Sequence, residues 1–187
     1  DLANRTSVTE VAQYLKKHPN YRQALATLPE SGLNRTRVEE LLSRGIYYKF
    51  LSLYRYDFGS SKFGAFFMIE NECMEILSAL RYVLNGRQNA YIIRMPNFLA
   101  GKTSFSLMEL ARANTSDQIL DVLAHTPYRK VLEPLFAQRP INFLLCEKAL
   151  KTYYYTEVMK LIEQHFSKSD QPEIRRLFLQ EAQNYNL

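Results

Sequence analysis

Two histidines in this chain come with the same companions. His18 is followed by Tyr21, Arg22 and Leu25, and His125 by Tyr128, Arg129 and Leu132, so the pattern H-x-x-Y-R-x-x-L occurs twice, 107 positions apart. An imidazole near a phenol and a guanidinium suggests general acid–base catalysis. The surroundings favour a structural role. Each histidine lies beside a proline-containing turn at the end of a helical stretch, where an imidazole can bond the last carbonyls and favour the negative end of the helix dipole. Tyrosine and arginine at consecutive helical positions point to different faces. Tyr21 and Tyr128 are therefore expected in the core, with Arg22 and Arg129 in surface or buried ion pairs.

The carboxylates offer no dyad. Glu39 follows Thr36 by three residues and closes a capping box. Glu147 sits after Leu144-Leu145-Cys146, and a carboxylate among apolar neighbours needs a cationic partner, for which Arg129 is the candidate. Cys73 and Cys146 lie in apolar helical patterns without metal-ligand spacing, which fits a reducing compartment and no disulfide framework. Gly101-Lys102-Thr103 ends like a phosphate-binding loop, but the glycine required five residues earlier is Pro96. Arginine and tyrosine interleave at Tyr54-Arg55-Tyr56, a pattern that could stack bases. However, the basic residues are scattered, and no RNA-binding sheet motif, zinc pattern or helix-turn-helix is present. No catalytic, cofactor or metal residue is assigned, and no nucleic acid is expected.

The elements that carry these residues read as helical nearly throughout. Ser7 with Glu10 opens a short helix to about Lys17, and a second is expected from Asn20 to Leu28. After a loop at Pro29-Glu30-Ser31-Gly32, a long helix runs from Thr36 to about Phe58, followed by a break at Gly59-Ser60-Ser61. Another long helix runs from Lys62 to Leu84 and stops at Asn85-Gly86. Tyr91–Met95 is a short helical turn, and Ser106 opens a short helix to Ala113. The plan then restarts: a capping box at Thr115 and Gln118, short helices to Ala124 and from Tyr128 to Phe136, a long helix from Pro140 to Phe166, and a last one opened by Asp170, Pro172 and Glu173.

The repetition extends beyond the histidine pattern. Ser7-Val8-Thr9-Glu10 pairs with Thr115-Ser116-Asp117-Gln118, Glu39 and Leu42 pair with Glu147 and Leu150, and Glu70 and Ile76 pair with Glu181 and Leu187. A unit of this length means a duplicated module, and such modules build shaped scaffolds. The expected division is a first module over 1–84 and a second over 85–187. Each would hold two short helices and two long antiparallel ones. Both ends of the chain fall inside a unit, so the sequence reads as part of a longer protein. A 47% hydrophobic content suffices for a core, and the net charge of +5 permits an acidic partner, a nucleic acid or an anionic surface without selecting one. No apolar run reaches the ~18 residues of a membrane span.

The succession from Glu75 to Phe166 resembles a known family. Glu75-Ile76 and Leu80-Arg81 are similar to its N-L-x-x-x-x-R helix. Ser106–Ala113, Gln118–Leu123, Thr126-Pro127-Tyr128 with Leu132, and Glu147, Leu150 and Tyr154-Tyr155 follow in its order. This resembles the family formed by the C and d subunits of V-type and A-type rotary ATPases (ATP synthases). Glu75-Ile76 stands where the family tends to have Asn-Leu, a pair that reappears as Asn186-Leu187. The resemblance implies an all-α, funnel-like protein of three related modules with no catalytic residues. It implies a peripheral place on the cytoplasmic face of the membrane, between the D and F subunits of the central stalk and the proteolipid ring, linking rotation to ion transport or ATP synthesis. A helical-repeat scaffold for another protein or RNA is the alternative.

Overall fold

In the computed structural model, residues 4, 6–29, 33–57 and 62–185 are described, the side chains of 54–57, 88 and 184–185 excepted. The breaks expected at 30–32 and 59–61 and the Asn186-Leu187 pair lie outside these residues, as do the side chains of Tyr54, Arg55 and Tyr56. The described chain is all-α, with nine α-helices and a 3-10 turn at Asn97–Leu99. It divides into two compact units, Asp1–Gly59 and Ser60–Leu187.

The first unit holds α1 (Val8–Lys17) and α2 (Arg35–Asp57). Ser7 caps α1 by accepting the Glu10 N–H at 3.2 Å, and Glu10 reaches back to the Thr6 N–H at 3.0 Å. The core gathers Ala12 and Leu15 of α1, Leu25 and Leu28 of the connection, and Val38 and Leu41 of α2. The helix expected over Asn20–Leu28 is instead a run of turns. Its hydrogen bonds close over three residues in some places and four in others, as in Tyr21 N–H to His18 O and Leu25 N–H to Tyr21 O. Only Leu25 and Leu28 reach the core from this segment, while Tyr21 is 37% exposed. A short helix is stabilised mainly by the apolar stripe it buries, and here only two side chains of the stripe are buried.

The turns pack so closely on α2 that a Cβ on Gly45 would lie 2.5 Å from the Ala24 Cβ. Leaving glycine in mid-helix gains about 1 kcal/mol, but overpacking costs about 1–3 kcal/mol. Gly45→Val is therefore expected to destabilise this unit, and to do so less in an Ala24→Gly background. Urea unfolding of the four proteins in a double-mutant cycle measures the coupling.

The second unit contains α3 (Ala65–Leu84), α4 (Gln88–Arg94), α5 (Leu107–Arg112), α6 (Ser116–Val122), α7 (Pro127–Phe136), α8 (Phe143–His165) and α9 (Gln171–Tyr185). Tyr91-Ile92-Ile93, the one β-like run in the sequence, is part of α4. On α8, Cys146, Leu150, Tyr154, Val158 and Ile162 are buried at every fourth position. Against this ridge lies α3, running the opposite way. Phe63 before its start meets Phe166 at the end of α8, and Arg81 near its end covers the ring of Phe143 at the start of α8. Helix α9 folds back on α8 through Arg175 and Glu163. The short helices α4 to α7 close the other side with Leu107, Leu110, Ile119, Leu123, Leu132 and Phe136.

The two long helices that follow the H-x-x-Y-R segments match in detail. Helices α2 and α8 are each 23 residues long. Each is preceded by an asparagine whose Oδ1 accepts N–H groups of the first turn: Arg37 for Asn34, Leu144 and Leu145 for Asn142. The Thr36–Glu39 capping box does not form. Asn34 already occupies the cap, which leaves Thr36 inside the helix and Glu39 paired with Arg35 at 2.6 Å. Glu39 and Glu147 are each the fifth residue of their helix.

Candidate functional site

The second unit is organised by two groups of polar side chains around α3. The first is a buried node at Glu72. Helical spacing places Glu72 in line with Ile76 and Leu80, so it enters the core with them. Tyr128 OH donates to its Oε2 at 2.6 Å, Ser104 Oγ donates at 3.0 Å, and the Ser104 N–H donates to Oε1. One carboxyl thus ties α3 to the loop before α5 and to α7. Burial, followed by the charge and hydrogen bond of Glu72, raises the Tyr128 phenol. The ring is held edge-on by Tyr153 and Phe105. Next to it, burial and the nearby Glu72 and Glu70 push the Cys73 thiol up to about 12. A thiol held protonated in this way is a poor nucleophile. Cys146 is also free and buried.

The second group lines a cleft of about 570 Å³ where α3 ends and α4 begins. A Schellman turn builds it. Gly86, at φ +63°, closes α3 with its own N–H on Val83 O and the Arg87 N–H on Tyr82 O. The chain reverses there, and α4 brings Tyr91 back against Glu75, whose carboxylate accepts the Tyr91 hydroxyl at 2.7 Å. Arg81, Arg87 and Arg94 border the same space with Ser78, Tyr82 and Asn85. Burial pushes the Glu75 carboxyl up to about 7, against the opposing effect of the Tyr91 hydrogen bond.

The raised Glu75 has a measurable consequence. Its folded-state value lies above that of an unfolded glutamate, so the folded protein holds the proton longer. Stability is then highest below the unfolded value and falls as pH rises from about 4.5 to about 7. Glu75→Gln keeps the acceptor for Tyr91 and removes the charge. It is expected to gain about 1–3 kcal/mol at pH 8 and nothing at pH 4. Urea unfolding at the two pH values checks both sign and window.

Among the described residues, no three His, Cys, Asp or Glu side chains come together as a metal site, and no helix is long and apolar enough to cross a membrane. What the unit presents is a helical scaffold whose buried polar groups connect its own elements. The family model of the ATP synthase (C/AC39) subunit matches residues 1–187. The chain belongs to this family. It is a component of a rotary ATPase of the V/A type, and its partners lie within that complex. No curated protein and no solved structure matches the chain significantly.

In this ATP synthase subunit the repeated residues take different surroundings. His18 caps the C-terminus of α1, its N–H on Leu15 O, while its ring accepts the Asn20 N–H at 3.3 Å and lies against Tyr21. His125 is exposed in the turn after α6. Tyr128 is 1% exposed, whereas Tyr21 is on the surface, contrary to the expectation of a matched core pair. Tyr128 has the Glu72 node to bury against, and the irregular turns around Tyr21 supply nothing similar. Arg22 is exposed. Arg129 bonds Leu120 O and pairs with Glu133, not with Glu147. Glu147 pairs with Lys151 one turn along α8, at 2.9 Å. A half-exposed carboxylate is satisfied by such a local partner and needs no long-range arginine. Burial raises the Glu70 carboxyl, and Glu181 raises it further.

Sequence pattern alone singles out neither Glu72 nor Ser104. A signal for Glu72 exists, since it shares the four-residue spacing of Ile76 and Leu80. Nothing local marks Ser104 as its partner, 32 residues away.

Proposed function

We propose that this chain is the non-catalytic coupling element of its rotary ATPase. It links the D and F subunits of the central stalk to the membrane proteolipid ring, as a peripheral component on the cytoplasmic face. The observation that carries this reading is the family match along all 187 residues. The fold supports it. A joint that transmits torque must be stiff, and long antiparallel helices sharing a continuous buried ridge are stiff. The exposed apolar residues Leu144 and Leu145 on α8, and Leu177 and Leu179 on α9, supply contact surface for neighbouring proteins of the complex. The residues shared by the two copies (His18, Tyr21, Arg22 and Glu39 with His125, Tyr128, Arg129 and Glu147) mark two modules, 1–84 and 85–187, and serve structure, not turnover.

The test is removal of this protein from the assembled enzyme in native membranes. ATP hydrolysis by the soluble head is expected to persist while ion pumping is lost, and re-addition of the full-length protein is expected to restore pumping. Undiminished pumping in its absence would overturn the coupling role.

A further inference from the structure

Four arginines of the second unit, Arg129, Arg139, Arg175 and Arg176, each reach a carboxylate, on Glu133, Asp117, Glu163 and Glu173. Among the described residues, Arg81, Arg87 and Arg94, which border the α3–α4 cleft, reach none; Arg81 covers the Phe143 ring instead. The only acidic side chain lining this cleft among the described residues is Glu75, whose carboxylate already accepts the Tyr91 hydroxyl. Three arginines therefore border one concave space with one carboxyl to offset them. Mutual repulsion among like charges makes such an arrangement costly when empty, and a multiply charged anion relieves it.

Shape narrows the ligand. The cleft, at about 570 Å³, has the size of a small-molecule site and is far larger than one oxyanion requires. Guanidinium groups match phosphoryl oxygens with paired, charge-assisted hydrogen bonds. Tyr82 and Tyr91, with ring centroids 6.1 Å apart, add aromatic surface beside the cations, and Ser78 and Asn85 add neutral polar groups. We propose that this cleft is a binding site for a diphosphate group, held by Arg87 and Arg94 with Arg81 beside them. The group could come free, as pyrophosphate, or carried by a nucleoside diphosphate, and recognition of the phosphoryl oxygens is common to both.

Calorimetric titration of the full-length protein with pyrophosphate and with ADP tests this, at constant ionic strength and without divalent cations. Saturable binding with one ligand per chain is expected. Arg87→Ala and Arg94→Ala should each weaken it by about tenfold or more. Both side chains are exposed, and unchanged circular dichroism would show that the fold is intact. Arg176→Ala removes the same charge from an exposed pair on α9 and should leave affinity within about twofold, because screened charges at a distance contribute little. Equal affinity for the two ligands would assign recognition to the phosphoryl groups alone, and tighter ADP binding would place its organic part against the tyrosines. Absence of saturable binding by either ligand would overturn the proposal. So would an equal loss in Arg176→Ala and the two cleft variants.

Discussion

Replacing Glu72 by alanine is expected to destabilise the second unit by about 2–4 kcal/mol. The carboxyl is buried and accepts from three donors, the Tyr128 hydroxyl and the Ser104 hydroxyl and N–H. Alanine leaves the Tyr128 hydroxyl in the interior without an acceptor, an orphan that costs about 1–3 kcal/mol, whereas the exposed Ser104 can turn to water and loses only its tie to α3. Tyr128→Phe separates the hydrogen bond from the ring. It keeps the edge-on contacts with Tyr153 and Phe105 and removes one donor, for an expected loss of about 1.5–3 kcal/mol, the worth of a hydrogen bond to a charged group. Combined in one chain, the two changes should cost less than their sum, since both remove the same bond. Urea unfolding gives the energies, and amide hydrogen exchange in α3 and α7 locates them. A loss below about 1 kcal/mol for Glu72→Ala would mean that the node does not hold these helices together.

Leu150→Ala is expected to cost about 2–5 kcal/mol, whereas Leu144→Ala, six residues earlier on the same helix, should stay within about 0.5 kcal/mol. Leu150 is 0% exposed at the middle of the α8 ridge, and Leu144 is 71% exposed. Removing the first leaves a cavity in a close-packed interior, and removing the second alters only hydrated surface. Thermal unfolding of the two variants measures the contrast. Comparable destabilisation by both would mean that α8 presents a different face to its neighbours. Under the coupling role, Leu144→Ala should act on assembly, and co-sedimentation with the membrane complex would show it.

The features legible in the sequence are those set by near neighbours in the chain. The Ser7, Ser106 and Thr115 caps each accept the N–H three residues on, as their capping patterns require. Gly86 stops α3 because only a residue at ease with positive φ closes a Schellman turn. The four-residue spacing of Cys146, Leu150 and Tyr154 turns one face of α8 inward. The order of such elements is also sufficient to suggest the family.

Tertiary structure decides what each repeated residue does. Tyr21 and Tyr128 share a local pattern, yet only Tyr128 meets a buried carboxylate, which arrives from 56 residues away. Glu147 looks like a buried charge in search of an arginine, but the packing of α8 leaves it half-buried, where Lys151 satisfies it. The cleft arginines are spread over fourteen residues of ordinary helical sequence, from Arg81 to Arg94. They face one space because the reversal at Gly86 folds α4 back over α3. The physical reason is common to all three cases. Caps and stripes are fixed by hydrogen bonds and spacing within a turn or two, whereas the partner of a polar side chain depends on which distant element is packed against it.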